Sequence, residues 1–575
     1  MRISKRSIAR CLFGSVAALG LAAVMFGATA EAKDACFGKS NIALVNGKIH
    51  TMNKHNSIVS SAVIENGRFT SVGKHAKGHA PCTKVINLRG RTVVPGLIDN
   101  HNHIVLLGLR PGHDTRLENI SSIGEVLDAL QKRANGVANG QWITAIGGWN
   151  IAQFSENRLP TLTELDSASS DHPIYIQQSF TGPGATNSLG KAFFESKGIT
   201  IGADGFVAPA PFFSSGPATE ALFELRKLQT FEDKKRGTKD AIAYGLSVGI
   251  TTHGEMGAFT ATGTTSDGAA HFDPKVAFDP MLALNRAGEL KGRVRIFFLT
   301  EDTTADLTTL KAKVENAFRE FGDDMLRVTG LGEFIVGNWF FPGPAPFYVE
   351  AATLAAQKGW VHQQHTLSLD EDIEVADTFE AVNTAMLSLN PNFKFSDLHW
   401  SIAHVPFIDQ PTIDRLKALG VGASVTSWRY LAGTPTQNGP PFRMLVDSGI
   451  RVGMSSDGMQ IAPMNPWLNI FYIVTGKNSS GELINERDGV LQTLTRTEAM
   501  RLYTSNNGWF LKEEKKLGSI EKGKFADLVV LNKDYFNKNR VSDEGIKDLH
   551  SVLTIVGGKI VHDSRRRYGH HPHHH

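Results

Sequence analysis

VVPGLIDNHNHI, residues 93–104, runs from an apolar strand-like segment through Pro95-Gly96 into His101-Asn102-His103. Residues i and i+2 of a strand project to one side, so two imidazoles at a strand end can reach one ion. A His-x-His pair alone is weak evidence. It gains weight here because it closes the first strand of a long strand-helix alternation.

Before this stretch lie short strands broken by turns: IALVNGKIHTM (42–52), SAVIENGRFTSVG (61–73) and KVINLRGRTVVPG (84–96). The first two each contain Asn-Gly, the preferred two-residue hairpin turn. The far end resumes the same style in GSIEKGKFADLVVLN (518–532) and SVLTIVGGKIVHD (551–563). In between, apolar runs such as WITAIGGW (142–149), HPIYIQQSF (172–180), RVRIFFLT (293–300), GWVHQQH (359–365), HWSIAHV (399–405) and GIRVGMSSD (449–457) alternate with helical stretches. IGEVLDALQKRANG (123–136), KDAIAYGLSVG (239–249) and TIDRLKALG (412–420) are helical, each closing on a glycine suited to a C-cap. Fully apolar strands alternating with helices predict a parallel sheet, and the length suits a closed (β/α)8 TIM-type barrel with insertions. An open doubly wound sheet is the competing architecture, but no glycine-rich nucleotide fingerprint follows an early strand. The Pro-, Gly- and Phe-rich segment 202–215 reads as a loop insertion.

With 575 residues, 41% hydrophobic and 20% charged, the chain has the composition of a large folded protein rather than a disordered one. Sixty basic and 57 acidic residues leave a net charge of only +3, so no global field favours nucleic acid, and a small-molecule partner is expected. Arg2, Lys5, Arg6 and Arg10 precede an uncharged apolar run from Cys11 to Ala28, and Ala28-Thr29-Ala30 offers a cleavage site. This predicts a signal peptide over 1–30 and a periplasmic or secreted protein with no stable membrane insertion after cleavage. A membrane anchor is the alternative reading of the run. Cys36 and Cys82 are then the cysteines of the mature chain, and each precedes a predicted strand of one β-region, so a disulfide or two buried thiols is expected. The tail RRRYGHHPHHH is of low complexity, and its histidines read equally as metal-binding or as a solvated or appended tail. A homo-oligomer is compatible with all of this.

VVPGLIDNHNHI resembles the first-strand motif of the amidohydrolase superfamily, and GSIEKGKFADLVVLN is similar to its C-terminal sandwich motif. GGWNIAQFSENRLPTLTELDSASSDHPIYI (147–176), TNSLGKAF (186–193) and GLSVGITTHGEMG (245–257) resemble the YtcJ-like, or amidohydrolase 3, branch. The resemblance implies a metal-dependent barrel over 95–508 and a small composite β-sandwich formed by 34–94 and 509–563, followed by a disordered tail over 564–575. It also implies a ligand set of His101, His103, one histidine on each of the fifth and sixth strands, and an aspartate on the eighth. His362 and His365 fall on opposite faces of a strand, and His365 ends it where the site should lie. In the sixth strand the alternation sets Trp400, Ile402 and His404 on one face, with His404 at the end. Asp457 follows the eighth strand and can bind metal and accept a proton, an Asx turn or helix cap being the plainer role. Many relatives carry a carboxylated lysine between these positions, whereas this chain has Glu333 in VTGLGEFIVG (328–337), either bridging two ions or orienting a histidine. His253, Trp149 and Asn150 are candidates for lining the substrate pocket or for ordinary buried roles. Gly182 stands where the branch often has a histidine before its Asn-Ser pair, here Asn187-Ser188, which leaves the substrate unassigned.

The donor set of imidazoles and carboxylates without thiolate suits one or two divalent ions, zinc foremost, with manganese or iron also fitting. The chemistry implied is hydrolysis of an amide, cyclic amide or ester, with Asp457 as proton acceptor. A non-catalytic periplasmic binding or metal-handling protein, and a metal-assisted isomerase or decarboxylase, are the rival readings.

Overall fold

The computed structural model describes residues 41–75, 82–179, 181–211, 215–257, 277–316, 318–337, 347–458 and 461–565. The segment read as a signal peptide, Cys36 and the His-rich tail from 566 onward lie outside the described residues. Cys82 is disulfide-bonded.

Eight parallel strands join in chain order: β1 (Leu97–Asn102), β2 (Ile250–Glu255), β3 (Arg293–Phe298), β4 (Leu326–Glu333), β5 (Val361–Thr366), β6 (Ser401–His404), β7 (Gly422–Thr426) and β8 (Arg451–Ser455). The end of β8 returns to β1, where Asp457 N donates to the His101 carbonyl at 2.9 Å and His103 N to the Gly458 carbonyl at 2.8 Å. The predicted (β/α)8 barrel is therefore the architecture. β1, β2 and β5 are buried at every residue, as strands covered on both faces must be. Helices Phe231–Val248 and Gln410–Leu419 end on Gly249 and Gly420 in the left-handed conformation, as their sequences predict. Helix Ile123–Ala134 instead ends on Asn135 in right-handed geometry, without a glycine cap.

Three sequence expectations are corrected. WITAIGGW and HPIYIQQSF supply Ile143–Ile146 and Ile174–Gln177, which stand outside the barrel in a separate five-stranded sheet between β1 and β2. The segment read as a loop insertion contributes Phe206–Val207 to the edge of this sheet. The sheet has its own core of Val126, Leu130, Ile143, Leu165 and Ile174. An apolar run between helices has the same local pattern in either sheet, so periodicity cannot say which neighbours it pairs with. Asn46-Gly47 is likewise no hairpin turn. Asn41–Val45 pairs with Ser61–Glu65 in a four-stranded sheet, while Lys48–His50 pairs with Thr92–Pro95 in a six-stranded one. At this crossing the chain passes close to Leu88, whose Cδ1 would lie 2.5 Å from a β-carbon on Gly47 and would have to shift to admit one. Asn66-Gly67 does make the expected hairpin, both residues at positive φ (51° and 77°) between Glu65 and Arg68.

The six-stranded sheet is composite, since Leu528–Leu531 pairs with Thr92–Pro95 on one side and Ser551–Val556 on the other. Ile42, Ile64, Phe69, Val93, Leu528, Leu553 and Ile555 fill the space between the two sheets. Buried ion pairs fasten this C-terminal segment to the barrel wall. Arg293 on β3 meets Asp527 through Nε–Oδ2 at 2.6 Å and Nη2–Oδ1 at 2.9 Å. Arg295 Nε and Arg327 Nη1 share Glu513 at 2.6 and 3.0 Å. Removing one partner of such a pair strands the other charge in a low dielectric. Asp527→Ala is expected to lower unfolding free energy by about 3–5 kcal/mol, read by denaturant titration. A loss under about 1 kcal/mol would mean that the pair is solvated like a surface bridge.

Candidate metal centre

At the C-terminal mouth of the barrel, six side chains from five strands converge. β1 delivers His101 and His103, β4 Glu333, β5 His365, β6 His404, and the turn after β8 Asp457. They form two donor groups that share Glu333: His101, His103, Glu333 and Asp457, and Glu333, His365 and His404, each with its ligand atoms within 4.8 Å of one another. All are buried. His101 Nε2 lies 3.6 Å from Glu333 Oε2 and 3.5 Å from Asp457 Oδ1, while His103 Nε2 lies 3.3 Å from Glu333 Oε1 and from Asp457 Oδ1.

These spacings test the fit of a metal. Two ligands about 2.0–2.2 Å from one tetrahedral ion stand about 3.3–3.6 Å apart. The first group already has that spacing, and His101 Nε2, though buried, makes no hydrogen bond. In the second group Glu333 Oε2 is 2.6 Å from His365 Nδ1 and 2.9 Å from His404 Nε2, hydrogen-bond distances tighter than the spacing across an ion. The donors fit divalent transition ions, and Glu333 is placed between both groups.

Backbone geometry sets two of the candidate ligands. His404 has φ of 74° and Asp457 of 51°, the left-handed region that non-glycine residues rarely occupy. The turn at His404 breaks the alternation expected for β6. Trp400 and Ile402 pack outward with the helix layer, and His404 alone turns to the mouth, so the three do not share a face. The Asp457 turn is clamped by buried Asp99, which accepts from Ser456 N at 3.0 Å and from Ser456 Oγ at 2.5 Å. His103 Nδ1 donates to the Gly257 carbonyl at 3.0 Å, which turns Nε2 toward Glu333 and Asp457.

Burial opposes ionisation of Glu333, but the charge of His365 and hydrogen bonds from His103, His365 and His404 hold its carboxyl well below the usual range. Burial also opposes ionisation of Asp457. The charge of His404 and the facing His101 and His103 rings outweigh it and depress that carboxyl too. His103 moves the other way: burial disfavours its cation, yet the Asp457 and Glu333 carboxylates raise it well above an ordinary imidazole. Two ionised carboxylates in a buried pocket demand positive charge, and protons on imidazoles supply it when a cation does not.

His362 is outside the centre, as the strand alternation predicts. Its Nδ1 donates to the Leu331 carbonyl at 3.1 Å and its Nε2 accepts from Tyr348 at 3.2 Å. His253 lies against helix Phe231–Val248, where a β-carbon on Gly245 would meet its Cε1 at 3.1 Å, and burial lowers it to about 3. Trp149 is in the core of the inserted sheet, its indole donating to the Ala145 carbonyl at 3.3 Å. Asn150 caps the short helix Ile151–Gln153. These three candidates are thus not among the converging residues. Residues that sequence reasoning missed surround the ligands: Gln363 contacts His101, Trp428 packs edge-on to His404 with centroids 5.0 Å apart, and Phe334 lies 4.9 Å from His365. Glu255, in the same motif as His253, accepts from Val105 N and Gly257 N, and burial raises it to about 7. Gln363 was accessible from its i−2 relation to His365; the others required the fold.

The described fold agrees with what the chain is similar to. The model of the amidohydrolase family matches residues 84–562. N-substituted formamide deformylase of Arthrobacter pascens is 23% identical over 91% of this chain and 98% of its own length. The putative amidohydrolase YtcJ of Bacillus subtilis (strain 168) is 24% identical over 90% and 98%. Among solved structures, an uncharacterized metal-dependent hydrolase from Pyrococcus horikoshii OT3 superimposes with a TM-score of 0.54 at 20% identity, over 86% of this chain and 98% of that one. The chain belongs to the amidohydrolase family.

Proposed function

We propose that this protein hydrolyses an amide, cyclic amide or ester bond of a small molecule, with one or two divalent ions, zinc foremost, held by His101, His103, Glu333, His365, His404 and Asp457. The observation that carries the reading is the convergence of six buried donors at the barrel mouth with ion-like spacing around Glu333 and Asp457. A bound ion there supplies Lewis acidity toward a carbonyl and acidifies water. Asp457, held ionised, accepts the proton of the attacking water and passes it to the leaving amine. Trp428 and Phe334 pack against His404 and His365, both buried, and burial strengthens electrostatics at the centre. The similarity to a formamide deformylase favours a carbon–nitrogen bond.

The purified mature protein is expected to carry one or two transition-metal ions per chain and to lose turnover on chelation. Screening N-acyl amino acids, formamides, cyclic amides and aryl esters identifies the substrate class, and incorporation of labelled water separates hydrolysis from isomerisation or decarboxylation. Full activity in metal-free protein would end this mechanism. Metal loading must displace the proton that His103 holds unusually tightly, so apparent affinity should fall as pH falls and loading should release protons. Isothermal titration in two buffers of different protonation enthalpy reads that release. Export is also part of the proposal, resting on the basic and apolar start of the sequence, and cell fractionation tests it.

A further inference from the structure

Below His365, on the same face of β5, stands Gln363, 1% exposed. Its Oε1 makes a very short contact with Nδ1 of His101, while its Nε2 is buried without a hydrogen-bond partner. A carboxamide oxygen only accepts, so the imidazole nitrogen facing it must carry the proton. Nδ1 of His101 then carries a proton, so an ion can be bound only through Nε2, which faces Glu333 and Asp457. With the amide turned over, the proton would move to Nε2 and be donated to Asp457, and that nitrogen could not ligate an ion.

We propose that Gln363 is a positioning residue that selects the metal-binding tautomer of His101. His103 obtains the same service from a backbone carbonyl, that of Gly257, which no side-chain substitution removes. His101 depends on a side chain. A neutral acceptor suits the metal-free protein, because Glu333 and Asp457 already put two carboxylates into the pocket and a third buried charge would add to their repulsion. The inference rests on the metal-centre reading above.

The test is competition of Zn2+ alone against a chromophoric chelator, on metal-free wild type and on Gln363→Met, Gln363→Leu and Gln363→Glu, with far-ultraviolet circular dichroism to establish folding. Met and Leu fill the space without accepting. Each is expected to weaken zinc binding by about 10- to 100-fold. Gln363→Glu keeps the accepting oxygen, and because a bound dication offsets the charge it adds, zinc affinity is expected to stay within a few-fold of wild type. A space-filling role predicts the opposite order, Met and Leu retaining affinity and the buried Glu losing it, and that result would overturn the proposal. So would equal affinity in all four folded proteins. Failure of wild type itself to bind zinc would instead remove the metal-centre reading.

Discussion

Glu333→Ala is expected to bring metal content down toward one ion per chain and to remove most turnover. Glu333 is the only residue common to both donor groups, with Oε1 facing His103 and Oε2 facing His101, His365 and His404. Two dications in a buried pocket repel each other strongly, and a carboxylate between them offsets much of that repulsion. Alanine leaves the second group as two histidines without an anionic partner, too few donors for tight binding. The first group keeps His101, His103 and Asp457, three protein ligands, which is the count of a catalytic zinc site. Elemental analysis after exhaustive dialysis gives the stoichiometry. Two tightly held ions with near-normal turnover would show that Glu333 is not the bridge.

Asp457→Asn should keep the fold and much of the metal while lowering kcat by at least about 100-fold, the size of losing positioned acid-base catalysis. The amide has nearly the carboxylate's shape, so the turn clamped by Asp99 and Ser456 can persist. It cannot take up a proton from water at neutral pH. The expected signature is therefore a fall in kcat without a matching loss of metal, measured on the same preparation. A rate within a few-fold of wild type would make Asp457 a structural ligand only.

Much of the architecture was legible in the chain because its signals are local. The strand-helix alternation announced the barrel, β-rich ends announced the composite sheets, and VVPGLIDNHNHI placed the first two candidate ligands at a strand end. The parity of β5 chose His365 over His362, since successive side chains of a strand take opposite faces. The same rule misplaced Trp400 and Ile402 relative to His404, because a residue at φ 74° ends the alternation and nothing in the local sequence marks it. Nor could periodicity tell Ile143–Ile146 from a barrel strand, or Asn46-Gly47 from a hairpin, since both questions concern distant partners.

The sequence by itself determined which donors exist, in what order, and near which strand ends, because covalent neighbours and strand parity govern those properties. The tertiary structure alone decided that Glu333 stands between two donor groups, that Gln363 reaches His101 across 262 positions, and that Arg293 and Arg295 are neutralised by Asp527 and Glu513 more than 200 positions away. Closing the barrel brings together the ends of strands hundreds of residues apart, and no local pattern in a chain encodes the distances between them.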